Sequence, residues 1–302
     1  MPSRRYVVAD VFTQQPYGGN QLAVVLDSEG LTTAQMLAIT REFNFSESTF
    51  VLPPDDPTHT ARVRIFTTAR EVPFAGHPNV GTAFVLARMG ELFGRRIGDS
   101  VLFQELAGVV PVSIQTELGV VMGATLTAPE PLRLGEAFDV AAIAACLRLD
   151  PVDLLLDHHA PREASVGLPF VMVELTDVEA LARIRLDVEA SCALLEKHAA
   201  CGLHVYARVA SATNARLRAR NFCPQLGAPE DAATGSANAA LAGLLASLDP
   251  AIDGQFHFEV TQGVEMGRPS QLQLAARKAG GVITAKVGGA CVSVMHGVLD
   301  ID

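Results

Sequence analysis

The chain has 302 residues, of which 49% are apolar and 19% charged, and its formal net charge is −10 at pH 7. This length allows two domains with full hydrophobic cores, and the apolar content without any low-complexity tract excludes a disordered protein. The negative charge argues against nucleic acid or an anionic membrane as a partner, but a small anionic substrate stays compatible with it. No stretch approaches 18 uncharged apolar residues and the first residues lack a signal-peptide core, so we expect a cytoplasmic protein.

The first quarter of the chain is predicted to form strands around one helix. The predicted segments are strands at 5–13 and 21–26, a helix at 32–43 and an alternating strand-like segment at 44–54. Thr32 and Gln35 have the spacing of a capping box at the start of that helix. Glu47 is a charged residue in the alternating, mostly apolar segment, and composition alone fits an edge or solvent-facing carboxylate equally well.

Residues 62–90 have Gly76-His77-Pro78 at their centre. The preceding residues alternate as a strand does, and residues 79–89 read as a helix that Gly90 closes. This helix is apolar on most sides, which predicts that it is buried. Its first N–H groups have no partner within the helix and carry a partial positive charge. We therefore predict a carboxylate-binding position beside His77, although a structural role for this histidine at the helix start is the alternative.

A similar arrangement occurs at residues 220–248, where a strand is followed by Gly235-Ser236 and a second apolar helix. Ser236 follows His77 by 159 residues, about half of the chain. Two copies at this spacing predict two similar domains whose central helices point at one cleft. Chance similarity between two glycine-led apolar helices is the alternative interpretation.

The remaining segments are rich in predicted strands. They are strands within 100–125, a Pro-rich stretch at 126–136, helical segments at 137–157 and 176–199, strands at 166–175 and 201–210, and β-rich sequence after 255. Many strands with two internal apolar helices predict an α+β protein whose sheets curve around a central helix. We predict an N-terminal barrel domain at 1–126, to which a last strand at about 288–302 could return, and a C-terminal barrel domain at 127–287.

Neither metal nor nucleotide chemistry has a sequence signature. The five cysteines have no ligand spacing and fit reduced thiols: Cys146, Cys192, Cys201, Cys223 and Cys291. His158 and His159 lack a third ligand at convincing spacing, which predicts a solvated loop. No dinucleotide or phosphate-loop motif occurs. We expect no metal and no cofactor.

Several short motifs in order along nearly the whole chain resemble the phenazine-biosynthesis PhzF-like isomerase family. They are Asp10-Val-Phe-Thr with Gly19-Asn20; Ser46-Glu47-Ser48-Thr49-Phe50; Phe74-Ala-Gly76-His77-Pro78 with Gly81-Thr82; Glu230-Asp231-Ala-Ala-Thr-Gly235-Ser236-Ala237; Gln262-Gly263 with Gly267-Arg268-Pro269-Ser270; and Val287-Gly288-Gly289. Each motif alone would be weak evidence.

The resemblance implies the diaminopimelate epimerase-like fold, in which two pseudo-symmetric domains each wrap a barrel around a helix and the active site lies between them. It also implies cofactor-free proton transfer on a small carboxylated substrate, and a homodimer. The family's general acid/base glutamate falls on Glu47. Its other active-site positions fall on His77, Asp231 and Ser236, and we expect substrate contacts at Asn20, Ser46, Gly76 and Gly235.

Physical chemistry agrees with these assignments. Moving a proton between carbons needs a base that takes the proton and returns it. We expect Phe45 and Phe50 to enclose Glu47 and to raise its pKa by desolvation. Asp231 could instead have only a structural role at the positive end of the second helix. Related epimerases place a cysteine at each helix entrance, whereas His77 and Ser236 stand here, which disfavours a two-thiol racemase.

Three functions remain open at this stage. The first is an isomerase that acts through Glu47. The second is an epimerase or dehydratase of an amino or hydroxy acid on the same scaffold. The third is a non-catalytic protein that binds a small acid.

Overall fold

The computed structural model describes residues 3–209, 216–226 and 228–301. Residue 1 begins the predicted N-terminal domain, residue 210 ends a predicted strand and residue 302 ends the predicted last strand. These three residues lie outside the described residues. The chain divides into two compact units, an N-terminal unit of Met1–Thr127 with Gly288–Asp302 and a C-terminal unit of Ala128–Val287.

The elements follow one another in chain order with strands far outnumbering helices. The helices are α1 (Thr33–Phe43), α2 (Gly76–Met89), α3 (Val140–Leu147), α4 (Val178–Arg183), α5 (Val188–Lys197) and α6 (Gly235–Leu248). The strands are β1 (Ser3–Val11), β2 (Asn20–Val25), β3 (Glu47–Leu52), β4 (Ala61–Thr67), β5 (Glu71–Val72), β6 (Glu91–Leu92), β7 (Arg95–Arg96), β8 (Ser100–Glu105), β9 (Gly108–Glu117), β10 (Val120–Thr127), β11 (Arg133–Ala137), β12 (Arg162–Ser165), β13 (Pro169–Leu175), β14 (Leu203–Arg208), β15 (Arg216–Cys223), β16 (Ala228–Asp231), β17 (Gly254–Gln262), β18 (Ser270–Ala279) and β19 (Val282–Asp300).

Eight strands of the N-terminal unit close into a barrel in the order β1, β2, β3, β4, β8, β9, β10, β19 and back to β1. Helix α2 lies inside it against β1, β2, β3, β9 and β10. The residues from Gly76 to Leu86 are all buried, as the apolar composition of this segment predicts. The helix ends at Gly90, whose φ of 75° is the left-handed conformation of a C-cap.

Helix α1 covers β3 and β4 from the other side of the barrel wall. The capping box between Thr32 and Gln35 forms as predicted, since each side chain accepts a hydrogen bond from the other residue's backbone N–H. Beneath the helix, Met36 packs with Phe50 and Phe66 in a separate apolar cluster. The inner face of the barrel is therefore left for α2 alone.

The C-terminal unit repeats the central feature. Helix α6 has 14 residues, as α2 has, and is buried from Gly235 to Ala246. It packs on β12, β13, β17 and β18. Helices α3, α4 and α5 contribute to a second apolar cluster together with β13 and β14. The predicted α+β class, with curved strands around a central apolar helix, is confirmed.

The prediction of a solvated loop at His158 and His159 is wrong for His159, which is buried. Its Nε2 lies 2.7 Å from the hydroxyl of Tyr206, which donates to the fully buried Glu174 at 2.9 Å. Burial lowers the pKa of His159 and raises that of Tyr206. A buried carboxylate needs partners, and these side chains supply them from distant parts of the sequence.

No helix in the described part of the chain is both long enough and apolar enough to span a membrane.

The closure of the barrel between β10 and β19 generates a stability prediction. A Cβ at Gly123 would lie 2.0 Å from the backbone oxygen of Gly289, at a bulge in β10. A backbone atom cannot move aside as a side chain does, so Gly123→Ala should lower the free energy of unfolding by about 3 kcal/mol. Urea denaturation measures the loss. Gly98→Ala, where the added methyl meets nothing within 4 Å, is the matched control, and equal stability of the two variants would contradict the prediction.

Candidate active site

The N-cap residue of α2 supplies no side-chain cap to the first backbone N–H groups of the helix. Its N-cap residue is Ala75, which makes no capping hydrogen bond through its side chain. Gly76 and His77 are the first two residues of the helix, and both are buried. The positive end of a helix in these surroundings favours a negatively charged group.

Glu47 lies beside this helix start. It is the first residue of β3, where the register places it opposite Leu22 of β2 and Thr67 of β4. Thr49, two residues later on the same face, contacts the hydroxyl of Thr82 in α2 at 2.8 Å. The Glu47 side chain therefore belongs to the face that lines the barrel interior. Its Oε2 is 3.7 Å from Nδ1 of His77, and the two side chains are 18% and 3% exposed.

Asn20 connects the predicted substrate-binding residues to the histidine. Its Nδ2 lies 3.3 Å from Nδ1 of His77, and its Oδ1 accepts from the hydroxyl of Ser46 at 3.2 Å. An amide nitrogen can only donate, so the tautomer that fits this contact accepts at Nδ1 and carries its proton on Nε2. The preceding Gly19 has a φ of 63°, and a Cβ there would lie 2.3 Å from the backbone oxygen of Val11. Only glycine fits where the chain turns into β2.

The expectation that Phe45 and Phe50 enclose Glu47 is wrong for Phe50. Phe50 packs against Phe66 in the cluster beneath α1, on the other face of β3. Phe45 stacks on Phe43 of the same helix, with ring centroids 5.9 Å apart. The alternation of β3 is the reason, because Glu47 and Phe50 are three positions apart, an odd offset, and therefore point to opposite faces.

The start of α6 carries the predicted residues of the C-terminal unit. Gly235 and Ser236 are its first two residues and are buried, and the N-cap residue Thr234 makes no side-chain capping bond. Instead, the Thr234 hydroxyl donates to Oδ2 of Asp231 at 2.6 Å. Asp231 ends β16 and is half-buried. The structure thus brings together Asp231, Thr234 and the helix start.

Gln262 belongs to one of the sequence motifs, and no role is predicted for it from the sequence. It is fully buried at the end of β17. Its Nε2 donates to the Asp231 carbonyl at 2.8 Å, and its Oε1 accepts from Asn238 at 2.7 Å and from the Thr234 N–H at 3.3 Å. Gln262 therefore fixes both Asp231 and the first turn of α6. The available signal was a polar residue that stands just before a glycine in predicted β-rich sequence.

The sequence-predicted residues therefore fall into two sets. The N-terminal unit holds Asn20, Ser46, Glu47, Gly76 and His77 together, and the C-terminal unit holds Asp231, Gly235 and Ser236 together. That both sets share one cleft stays a prediction. In the described residues, no group of three or more His, Cys, Asp or Glu side chains is placed to hold a metal ion.

Comparison with known proteins identifies the class first. A solved PhzF-family phenazine biosynthesis protein from Bacillus anthracis has the same fold, with a TM-score of 0.87, 23% identity and 100% coverage of both chains. An uncharacterized isomerase of Mesorhizobium japonicum is 41% identical over 307 residues, 100% of both chains. Trans-2,3-dihydro-3-hydroxyanthranilate isomerase of Pseudomonas aeruginosa is 35% identical over 286 residues, 93% of each chain. The protein is an enzyme of the isomerase class.

The particular family follows from a match over residues 9–297 to the model of the phenazine biosynthesis-like proteins, PhzC-PhzF. The chain belongs to this family, as the motifs predict.

The Gln262 network generates a second stability prediction. Gln262→Leu removes the partners of the Asn238 amide, the Thr234 N–H and the Asp231 carbonyl while keeping the side-chain size. Buried polar groups left without partners cost about 1–3 kcal/mol each, so we expect a loss of about 3 kcal/mol in the free energy of unfolding. Urea denaturation measures it. Gln271→Leu on the exposed face of β18 is the control and should change stability by less than about 0.5 kcal/mol. Similar stability of the two variants would show that Gln262 does not hold this turn.

Proposed function

We propose that this isomerase moves a proton between carbons of a small carboxylated substrate, with Glu47 as the general acid/base. The observation that carries the proposal is the placement of a partly buried carboxylate 3.7 Å from His77 at the start of a buried helix, whose N-cap residue Ala75 makes no side-chain capping bond. A base and a group that stabilises negative charge are the two requirements for removing a proton from carbon.

The reaction balances without another reactant. The Glu47 carboxylate takes a proton, so that one C–H bond breaks and one O–H bond forms, and the electron pair delocalises into the unsaturated acid. The N–H groups of the first turn of α2 stabilise the charge that develops. Glu47 then returns the proton to a different carbon, which restores the carboxylate. We propose that this cycle needs no cofactor. Extensive dialysis of the enzyme, followed by an activity assay, tests this proposal.

His77 and Asn20 contribute orientation in this proposal. With Nδ1 accepting from Asn20, Nε2–H of His77 can donate to a polar group of the substrate. Burial on all sides keeps the ring in place, since its side chain is only 3% exposed. Asp231, Gly235 and Ser236 stay predicted site residues of the C-terminal unit.

The substrate class we propose is a partly unsaturated cyclic carboxylate bearing amino or hydroxyl groups. The support is the 35% identical Pseudomonas aeruginosa relative, whose name gives trans-2,3-dihydro-3-hydroxyanthranilate as the compound it isomerises. This compound is the first probe, followed by a panel of small cyclic and amino carboxylates screened for thermal stabilisation, because ligand-linked stability reports binding without presuming a reaction.

The central prediction concerns Glu47→Gln, which keeps the size of the side chain and removes its basicity. Incubation of the wild-type enzyme with the probe in deuterated water should place deuterium on carbon, as NMR and mass spectrometry detect. The variant should lose about 100-fold or more in the rate of incorporation. Glu42→Gln changes an exposed carboxylate on α1 and should exchange at the wild-type rate.

Three outcomes would separate the competing functions. Equal exchange by Glu47→Gln and wild type would remove Glu47 from the mechanism. Loss of water or inversion of one stereocentre in the product would indicate a dehydratase or an epimerase. Thermal stabilisation by a small acid without exchange at any carbon would indicate a binding protein.

A further inference from the structure

The two central helices share an asparagine at their fourth position. Asn79 of α2 donates from Nδ2 to the carbonyl of its N-cap residue Ala75 at 3.0 Å, and Asn238 of α6 donates to that of Thr234 at 2.9 Å. A carbonyl can only accept, so this bond fixes which end of each amide is nitrogen. In each unit the asparagine ties the first turn of the helix to its N-cap residue.

Beside Asn79 lies a carboxyl group that the proposed mechanism does not use. Glu105 ends β8 and is only 9% exposed. Its neighbour Gln104 is opposite Arg62 on β4, and both of these are only partly buried, so Glu105 points to the inner face. The turn that follows is tied to the segment before α2, because the Ala107 N–H donates to the carbonyl of Pro73 at 3.1 Å.

Several buried oxygen atoms of Glu105 and Asn79 have no hydrogen-bond partner within the described part of the chain. They are both carboxyl oxygens of Glu105 and Oδ1 of Asn79. An ionised carboxylate and an amide oxygen are all acceptors, and the second N–H of Asn79, which interacts with the carboxyl group, cannot serve all three of these atoms. Unsatisfied buried polar atoms are rare in folded proteins. One proton on Glu105 would supply the missing donor.

We propose that Glu105 is a positioning residue that stays protonated in the folded enzyme and shares its proton with Asn79, thereby fixing Ala75 and the helix start that carries His77. Its role in positioning His77 for catalysis rests on the proposed function. Its protonation does not, and is tested separately.

Electrostatics point the same way. Burial raises the pKa of Glu105 to about 8, and the neighbouring Asn79 side chain lowers it only in part. The charged groups around it have other partners, since Arg64 pairs with Glu71 and Arg62 with Asp55. These four line a groove to which Glu105 also contributes, and α2 carries His77 in its first turn and Arg88 in its last.

The first test reads protonation directly. In protein labelled with 13C at the glutamate carboxyl carbons, one signal should titrate near pH 8 instead of near 4.5. The experiment uses Glu47→Gln, so that Glu47 cannot be the source. Absence of any glutamate signal that titrates above pH 7 overturns the proposal, whether or not the enzyme turns over the probe.

The second test uses stability. The folded state holds a proton that the unfolded chain releases above pH 4.5, so the contribution of Glu105 is full below that pH and falls as pH rises towards 8. Relative to Glu105→Gln, the wild-type folding equilibrium constant should fall about tenfold per pH unit in this range. Glu117→Gln, at an exposed carboxylate ending β9, should keep the wild-type slope. An identical slope in Glu105→Gln overturns the proposal.

The third test separates positioning from stability. The 15N signals of the His77 ring should show an inflection near pH 8 in the wild type that is absent in Glu105→Gln. Glu105→Gln supplies an N–H donor without a titratable proton, so its kcat on the probe at pH 7 should stay within about threefold of wild type and should not fall as pH rises above 8. Glu105→Leu, which has no donor, should lose about tenfold in kcat. If the inflection of the His77 signals persists in Glu105→Gln, Glu105 does not position His77. If the inflection is absent in this variant but the wild-type enzyme does not turn over the probe, the proposed function or the choice of probe fails. The positioning inference stands in that case.

Discussion

When a helix is buried from its first residue, its first backbone N–H groups lie inside the protein and have no partner within the helix. This constraint shapes both units. The N–H groups at the starts of α2 and α6 receive no capping side chain from their N-cap residues. Water would satisfy them at a surface, but here neighbouring strands surround them. The side chains that each unit places around its helix start therefore decide both the stability of the helix and what that start can bind.

The two units meet this constraint in different ways. In the C-terminal unit, Gln262 bonds to groups on both sides of the helix start, which makes the turn from Asp231 to Asn238 rigid. In the N-terminal unit, Glu47 and His77 stand 3.7 Å apart on separate elements. The first arrangement is suited to holding a fixed shape, and the second places a carboxylate and a histidine next to a positive helix end, which is the arrangement on which the proposed proton transfer rests.

Local patterns in the sequence predict the elements, and they stop being informative where partners are distant. The capping box at Thr32 and the apolar composition of residues 79–89 give α1 and α2, because both depend on neighbours within a few residues. The enclosure of Glu47 by Phe50 is wrong because strand alternation places residues three positions apart on opposite faces. The burial of His159 depends on Glu174 and Tyr206, and the environment of Asn79 on Glu105. Such contacts follow from the closure of sheets, which no single-sequence pattern specifies.

The titratable groups beside the two asparagines have a common electrostatic consequence. Burial raises the pKa of Glu105 to about 8 and lowers that of His204, which lies beside Asn238, to about 4. Both side chains are therefore uncharged at neutral pH. A carboxylate at Glu105 would neutralise part of the positive potential at the start of α2, and in a buried environment that interaction is only weakly screened. Keeping this group neutral leaves the potential of the helix start available to an anionic ligand. Burial at the start of α2 thus has a second effect: it keeps Glu105 uncharged, so that no carboxylate there competes with an anionic ligand.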